Sequence, residues 1–192
     1  MRTTTITSEL GAPADVVWAG VQTPHAFVHI ANGMVRFPAA SRLEGPWEVG
    51  QTIVGWTFLL NVIPFSKHHL TVASIDHETR TVVSDEHGGL LRSWYHSLHV
   101  EPLADGRCRY TDTIDIDAGP LTPIVAGYAL VFYRYRQWRW KRLARLLAAA
   151  NAAATRTSRS GRSCREDGAE SPSTEVTSRP DRTKTPISRP LA

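Results

Sequence analysis

Two consecutive runs of the sequence, Arg92–Glu101 and Arg109–Asp117, alternate between apolar and polar side chains with a period of two. Because side chains point to opposite faces along a β-strand, each run predicts a strand with one buried face. The even-numbered positions form that face, and they are Trp94, His96, Leu98, Val100, Tyr110, Asp112, Ile114 and Ile116. His96 and Asp112 do not suit a dry core, since an inward polar group must find a partner. The sequence therefore predicts a lined cavity at this face rather than a solid core.

The segment between the two runs sets how they pair. Residues 103–107 have the composition of a three-residue hairpin loop, in which Gly106 supplies the left-handed position. A two-residue turn would pair even with odd positions and place apolar side chains on both faces. With residues 103 and 107 opposite each other, His96 and Asp112 become diagonal neighbours, with Cα atoms about 7–8 Å apart. We expect their side chains to meet, directly or through one water.

The rest of residues 1–150 carries the signals of an α+β domain. A first strand is predicted over Thr3–Leu10, followed by two short helices that begin after Pro13 and Pro24. A long amphipathic helix, about Leu121–Ala150, comes last, and a curled antiparallel sheet can hold such a helix in its concave side. Further strands are predicted at Val35–Leu43, Gln51–Leu60, Lys67–Ile75 and Thr81–Glu86.

The composition changes sharply from about Asn151 onward. Residues 155–192 contain no aromatic side chain and only three large aliphatic ones, so they cannot bury enough apolar surface to offset the entropy of ordering. We therefore predict one domain at residues 1–150 and a disordered tail, rich in Ser, Thr, Arg and Pro, at residues 151–192. The tail has eight basic and five acidic residues without a dense basic run, so nucleic-acid binding is not expected.

The cysteines and the chain start favour a cytoplasmic protein. Cys108 and Cys164 lie far apart and have neither metal-ligand nor redox-motif spacing, and Cys108 is predicted on the outward face of its strand. Met1–Leu10 lacks the apolar core of a signal peptide, and Ile124–Tyr133 is too short to cross a bilayer. No cofactor is expected, and the sequence does not define the oligomeric state.

The order of motifs resembles the SRPBCC (START/polyketide cyclase/birch-pollen-allergen-like) superfamily, whose fold is called helix-grip. The resemblance implies an antiparallel sheet of about seven strands wrapped around a long C-terminal helix, with two short helices after the first strand. It also implies a deep apolar cavity that binds lipids, sterols, polyketides or similar ligands, and some members are aromatase/cyclases. The resemblance covers about residues 1–150 and rests on Ala12-Pro13-Ala14-Asp15-Val16-Val17-Trp18, Gly45-Pro46-Trp47-Glu48-Val49-Gly50, Trp94-Tyr95-His96, Gly106 with Tyr110-Thr111-Asp112, and the terminal helix.

The first functional hypothesis is that the domain binds a hydrophobic or aromatic small molecule, lipid-like or polyketide-like, between sheet and helix. Ordinary core packing would use the same aromatic side chains, and in this fold the cavity wall is itself the core. The side chains expected to face the ligand are Trp56, Phe58, Trp94, Leu98, Tyr110, Ile114, Tyr128, Phe132 and Tyr135.

The alternative is a polyketide cyclase or dehydratase. In it Asp112 fixes the tautomer of His96, whose imidazole then transfers protons near neutral pH. A structural pair that closes one end of the cavity accounts for the same residues, and we favour it slightly because no third functional group can be placed with them. His68 would complete a metal set of two histidines and a carboxylate, but the three lie on separate strands and no metal site is predicted.

The third hypothesis concerns the helix segment Arg134–Arg145, which interleaves six cations with three aromatic side chains. Such a segment is compatible with weak contact to an anionic membrane surface. The simplest interpretation is a solvated helix face whose aromatic side chains cover the sheet. Contact with nucleic-acid phosphates is the least favoured.

Overall fold

A computed structural model describes residues 1–166 of the chain. Its strands and helices occur in separate runs, as in an α+β protein, which confirms the predicted class. In chain order they are β1 (Arg2–Leu10), α1 (Ala14–Val21), α2 (Pro24–Ala31), β2 (Val35–Arg36), β3 (Thr52–Leu59), β4 (Ile63–Asp76), β5 (Thr81–Gly88), β6 (Leu91–Pro102), β7 (Cys108–Asp117) and α3 (Thr122–Glu166).

All seven strands form one curled antiparallel sheet, in the order β1-β7-β6-β5-β4-β3-β2. The apolar residues of β6 and β7 pack against the first turns of α3, where Ala126 and Ala129 allow a close approach. A second cluster joins α1 to the β6–β7 hairpin, and a third joins Phe37 to Leu70 and Val72 of β4. The sheet therefore holds the long helix on its concave face, as predicted.

The β6–β7 hairpin has the predicted register. The Leu103 N–H donates to the Arg107 carbonyl across 2.9 Å, and Gly106 has a φ of +78°. His96 lies opposite Ile114, and the residue two positions further along β6, Leu98, lies opposite Asp112. The even-numbered side chains from Trp94 to Val100 and from Cys108 to Ile116 are buried.

The predicted orientation of one side chain on this hairpin, that of Cys108, was wrong. We expected its side chain on the outward face, but it is fully buried, since its even number places it with Tyr110 and Asp112. Burial raises the pKa of the Cys108 thiol to about 11.

The two largest differences from the predicted element bounds are at β2 and α3. Only Val35–Arg36 of the strand expected at Val35–Leu43 pairs with β3, because Pro38 lacks the N–H that a sheet ladder needs. Helix α3 was expected to end near Ala150 but continues to Glu166, through an alanine-rich stretch of high helix propensity. Residues 1–155 form one compact unit. The rest of the predicted tail, from residue 167, lies outside the described residues.

Candidate functional site

A cavity of about 270 Å³ lies between the concave face of the sheet and α3. This volume is slightly below the usual range for small-molecule sites, which is about 300–1,000 Å³. Apart from the aromatic residues that carry a hydroxyl or an indole N–H, the polar side chains on its wall are Thr57, His68, Glu86 and Arg136. Most of its wall is aromatic or aliphatic, and the central side chains are Phe37, Leu70, Trp94, Val125, Phe132 and Tyr133.

Four of the lining side chains are also exposed to solvent: Phe65, Leu90, Ile124 and Tyr128. They come from β4, from the β5–β6 turn and from the first turns of α3. These three segments therefore form the apolar rim through which the cavity opens.

Six of the nine predicted ligand-facing residues divide into three groups. Trp94, Tyr128 and Phe132 line the larger cavity. Leu98 lines a smaller adjacent cavity of about 60 Å³. Tyr110 and Ile114 are fully buried in the packing between sheet and helix, and neither lines these cavities.

Trp56 and Phe58 were expected on the cavity wall, and this was wrong. Trp56 is 56% exposed, and Phe58 lies beneath the Arg36 guanidinium at 4.5 Å. The inward positions of β3 are the odd-numbered ones, including Thr57. A glycine stands inward at position 55 because Phe37 and Ala39 press against the backbone there, which a larger side chain would prevent.

Tyr135 was also expected to face the ligand, but its hydroxyl donates to the Asn32 carbonyl across 2.7 Å, away from both cavities. The buried face of α3 is offset from the line of Tyr128, Phe132 and Tyr135 that we expected to face the ligand. Its members recur at spacings of three and four residues and include Tyr133, Arg136, Gln137 and Trp140.

His96 and Asp112 meet directly, as their register predicts. His96 Nε2 lies 2.8 Å from Asp112 Oδ1, and both side chains are buried. Gln137 Nε2 donates to Asp112 Oδ2 at 3.1 Å and to the Ile6 carbonyl at 2.7 Å, and the Tyr110 hydroxyl donates to Oδ1 at 3.4 Å. Donors on three elements therefore converge on the Asp112 carboxyl group.

The second ring nitrogen of His96, Nδ1, has no hydrogen-bond partner among residues 1–166, and the ring lines the smaller cavity. When Asp112 is ionised, His96 Nε2–H donates to it, which leaves Nδ1 as an acceptor on the cavity side. The pair thus has the arrangement of an oriented imidazole base.

His68 points inward, as its predicted face requires, but it does not join His96 and Asp112. His68 Nε2 lies 2.9 Å from Glu86 Oε2, and the Ser84 hydroxyl donates to Glu86 Oε1 at 2.8 Å. Burial raises the pKa of the Glu86 carboxyl, but the hydrogen bond and charge of His68, the charge of His96 and the Ser84 bond outweigh it, so the net pKa shift is downward. Within the described part of the chain, no three side chains converge as metal ligands would.

The lowered pKa of Glu86 predicts a pH-dependent contribution to stability. A carboxyl group whose pKa is lower in the folded state stabilises the fold fully above its unfolded pKa of about 4.3, and loses this contribution as the pH falls through the folded value. We expect Glu86→Gln to lower the free energy of unfolding by about 1.5–3 kcal/mol at pH 7, and by less below about pH 4. Urea denaturation across this pH range measures the difference. The exposed Glu101→Gln is the control, and an E86Q effect independent of pH would contradict the prediction.

Arg136 is buried at 4% exposure, although its charge suggested a place on the solvated helix face. It lines both cavities and makes no hydrogen bond to any residue the structure describes, and its Nε is sealed from solvent. Its guanidinium carbon lies 4.7, 5.6 and 5.9 Å from the ring centres of Tyr133, Phe132 and Phe27. Burial alone would lower the pKa of Arg136, but nearby tyrosines and carboxyl groups outweigh it and shift the pKa upward.

The other cations of Arg134–Arg145 divide between surface and internal contacts. Arg139 donates to the His29 carbonyl at the C-terminal end of α2, at 2.9 Å, while Arg142 lies 3.9 Å over the Trp138 ring. Trp140 is buried. Of the six cations of the segment, Arg136 is buried and Arg139 is half-buried, while the other four are exposed and remain available for a surface contact. None of the described helices is long and apolar enough to span a membrane.

A family model described as "Domain of unknown function (DUF8410)" matches residues 8–147. No curated protein matches the sequence. The solved structures that are similar to it include the following three. Protein CV1439 from Chromobacterium violaceum has 13% identity and a TM-score of 0.58, over 74% of this chain and 96% of that one. Truncated norcoclaurine synthase from Thalictrum flavum has 16% identity and a TM-score of 0.56, over 74% of this chain and 92% of that one. Protein Ms6760 from Mycobacterium smegmatis has 12% identity and a TM-score of 0.57, over 73% of this chain and 89% of that one. These structures confirm the helix-grip fold.

Proposed function

Because the chain belongs to the DUF8410 family, whose description names no function, we propose its function from the cavity: it binds a hydrophobic or aromatic small molecule between the sheet and α3. The observation that carries this proposal is the cavity of about 270 Å³ with apolar walls and an apolar rim. Moving an apolar molecule from water into such a site is favourable by about 25 cal/mol for each Å² of apolar surface buried.

The comparison with norcoclaurine synthase supports an aromatic ligand. A structure of that protein from Thalictrum flavum, 16% identical with a TM-score of 0.56, was obtained in complex with dopamine and hydroxybenzaldehyde. In the present chain, Trp94, Phe132 and Tyr133 supply ring faces and edges to the cavity. Aromatic rings pack well against such surfaces.

Native mass spectrometry of the full chain, purified from its own cells under gentle conditions, tests the proposal. We expect a fraction of the protein to carry one hydrophobic compound, released on denaturation. The unliganded protein should bind 2-naphthoate, an aromatic probe, in a calorimetric titration. Protein that carries no compound and binds no such probe would overturn the proposal.

A second candidate function is proton transfer at a carbon next to a carbonyl group, the step of a polyketide cyclase or dehydratase. It is favoured by the free Nδ1 of His96 on the smaller cavity and by the Asp112 contact at Nε2. In this reaction Nδ1 takes a proton from the α-carbon and returns one from solvent.

Deuterium exchange into the methyl group of 2-acetylnaphthalene, followed by NMR in D2O, tests this second function. The wild-type chain should accelerate exchange, and a folded His96→Ala variant that still binds the probe should not. Exchange at the buffer rate with the wild-type chain would rule out the enzymatic candidate and leave the binding function in place.

A further inference from the structure

We infer that the ligand of this cavity carries a carboxylate group, and that the guanidinium of Arg136 binds it. The inference rests on the proposed function and adds the chemical class of the ligand. Its starting point is a buried cation, at 4% exposure, that lines both cavities and is not hydrogen-bonded to any of residues 1–166. A buried charge without hydrogen bonds is costly to the fold, and a guanidinium presents five N–H donors in a planar fork.

The neighbouring acidic side chains do not use these donors. Glu86 has one oxygen bonded by Ser84 and the other by His68. Asp112 is held by His96 and Gln137, and neither acid forms an ion pair with Arg136. The two acids supply countercharge at longer range, which keeps the guanidinium ionised, but they leave its hydrogen bonds unmade.

The aromatic neighbours of Arg136 also leave its donors free. Tyr133, Phe132 and Phe27 contact the guanidinium through their ring faces, a cation–π interaction that consumes no N–H group. These three rings belong to the wall of the larger cavity. The charge is therefore fixed in place by aromatic packing, next to the space in which an apolar ligand body would lie.

A carboxylate fits this arrangement better than a phosphate does. Its two oxygens match the fork of one guanidinium, and it brings less negative charge than a phosphate into a site that Glu86 also lines. Among the described residues that line the larger cavity there is no second arginine and no lysine, which a doubly charged group would need. The ligand is thus an aromatic or aliphatic carboxylic acid with its apolar body in the larger cavity.

Calorimetric titration of the full chain with 2-naphthoate and with 2-naphthamide tests the inference. The two probes share a shape, but only the first carries a charge. We expect the wild-type chain to bind 2-naphthoate about 10- to 100-fold more tightly than the amide. Arg136→Met should remove this preference, and Arg134→Met, which deletes an exposed cation of the same helix, should keep it.

Two outcomes separate the inference from the function on which it rests. Equal affinity of the wild-type chain for both probes would overturn the carboxylate inference and leave the binding function standing. Failure to bind either probe would overturn both. If Arg136→Met does not fold, Arg136→Lys keeps the charge without the planar fork, and it should reduce the preference for 2-naphthoate at least several-fold.

Discussion

Replacement of Asp112 by alanine is expected to lower the free energy of unfolding by about 3–5 kcal/mol, because removing one partner of a buried polar pair leaves the others uncompensated. The change would leave His96 Nε2 and one Gln137 N–H without acceptors in a site of zero solvent exposure. A loss of this size is a large share of the about 5–15 kcal/mol that stabilises an ordinary domain. Urea denaturation followed by tryptophan fluorescence measures it.

Asp115→Ala is the matched control on the same strand. Its side chain lies on the opposite face of β7 and bonds only Thr3, so we expect a loss below about 1 kcal/mol. The double variant His96→Ala with Asp112→Ala should cost less than the sum of the two single changes, since each single change leaves its partner unpaired. Strict additivity, or a loss below about 1 kcal/mol for Asp112→Ala, would contradict the proposed structural role of the pair.

Val125→Trp is expected to lower the affinity for 2-naphthoate by about 100-fold, the equivalent of the about 2–3 kcal/mol gained by burying an aromatic body. Val125 is half-buried on α3 and lines the larger cavity, so an indole there occupies the space that the ligand needs. The fold should tolerate the change, because the added atoms fill existing space. Calorimetric titration measures the affinity, and thermal unfolding checks the fold.

Val131→Trp controls for the chemistry of the substitution. Val131 lies on the same helix with 59% of its side chain exposed, outside the cavity lining. This variant should bind 2-naphthoate as the wild-type chain does. Wild-type affinity in Val125→Trp would place the binding site elsewhere on the protein.

The β6–β7 hairpin was predictable in detail because its determinants are local. Alternation fixes which face of each strand is buried, and the loop of residues 103–107 then fixes the register. Together they bring His96 and Asp112 into contact without knowledge of the other strands. The error at Cys108 came from not applying this parity to the first residue of β7, where an even number also means burial.

The face of β3 was not predictable from its own sequence. The apolar set that includes Trp56 and Phe58 lies on the outer face, while the inner face carries Ile53, Gly55, Thr57 and Leu59. Which face of β3 is buried depends on a tertiary contact, the approach of Phe37 to the strand backbone at Gly55. A β-strand with large apolar side chains on both faces gives no local sign of which side a distant segment will cover.

The buried charge on α3 escaped prediction for a related reason. Arginines are rarely buried, so Arg136 was grouped with its exposed neighbours of the same sign. The sequence does carry a signal for the burial of Arg136, which is its spacing from two aromatic residues. Tyr133 precedes it by three positions and Trp140 follows it by four. Both of those residues are buried against the sheet, which places Arg136 on the inner face as well.

Nuclear Overhauser contacts between 2-naphthoate and a chain labelled at its leucine and valine methyl groups test the central claim most directly. We predict contacts from the ring protons to methyl groups of Leu70, Leu91 and Val125, which line the larger cavity. Contacts confined to the exposed Val62 and Val131, at 73% and 59% exposure, would contradict the claim that the space between sheet and helix is the binding site.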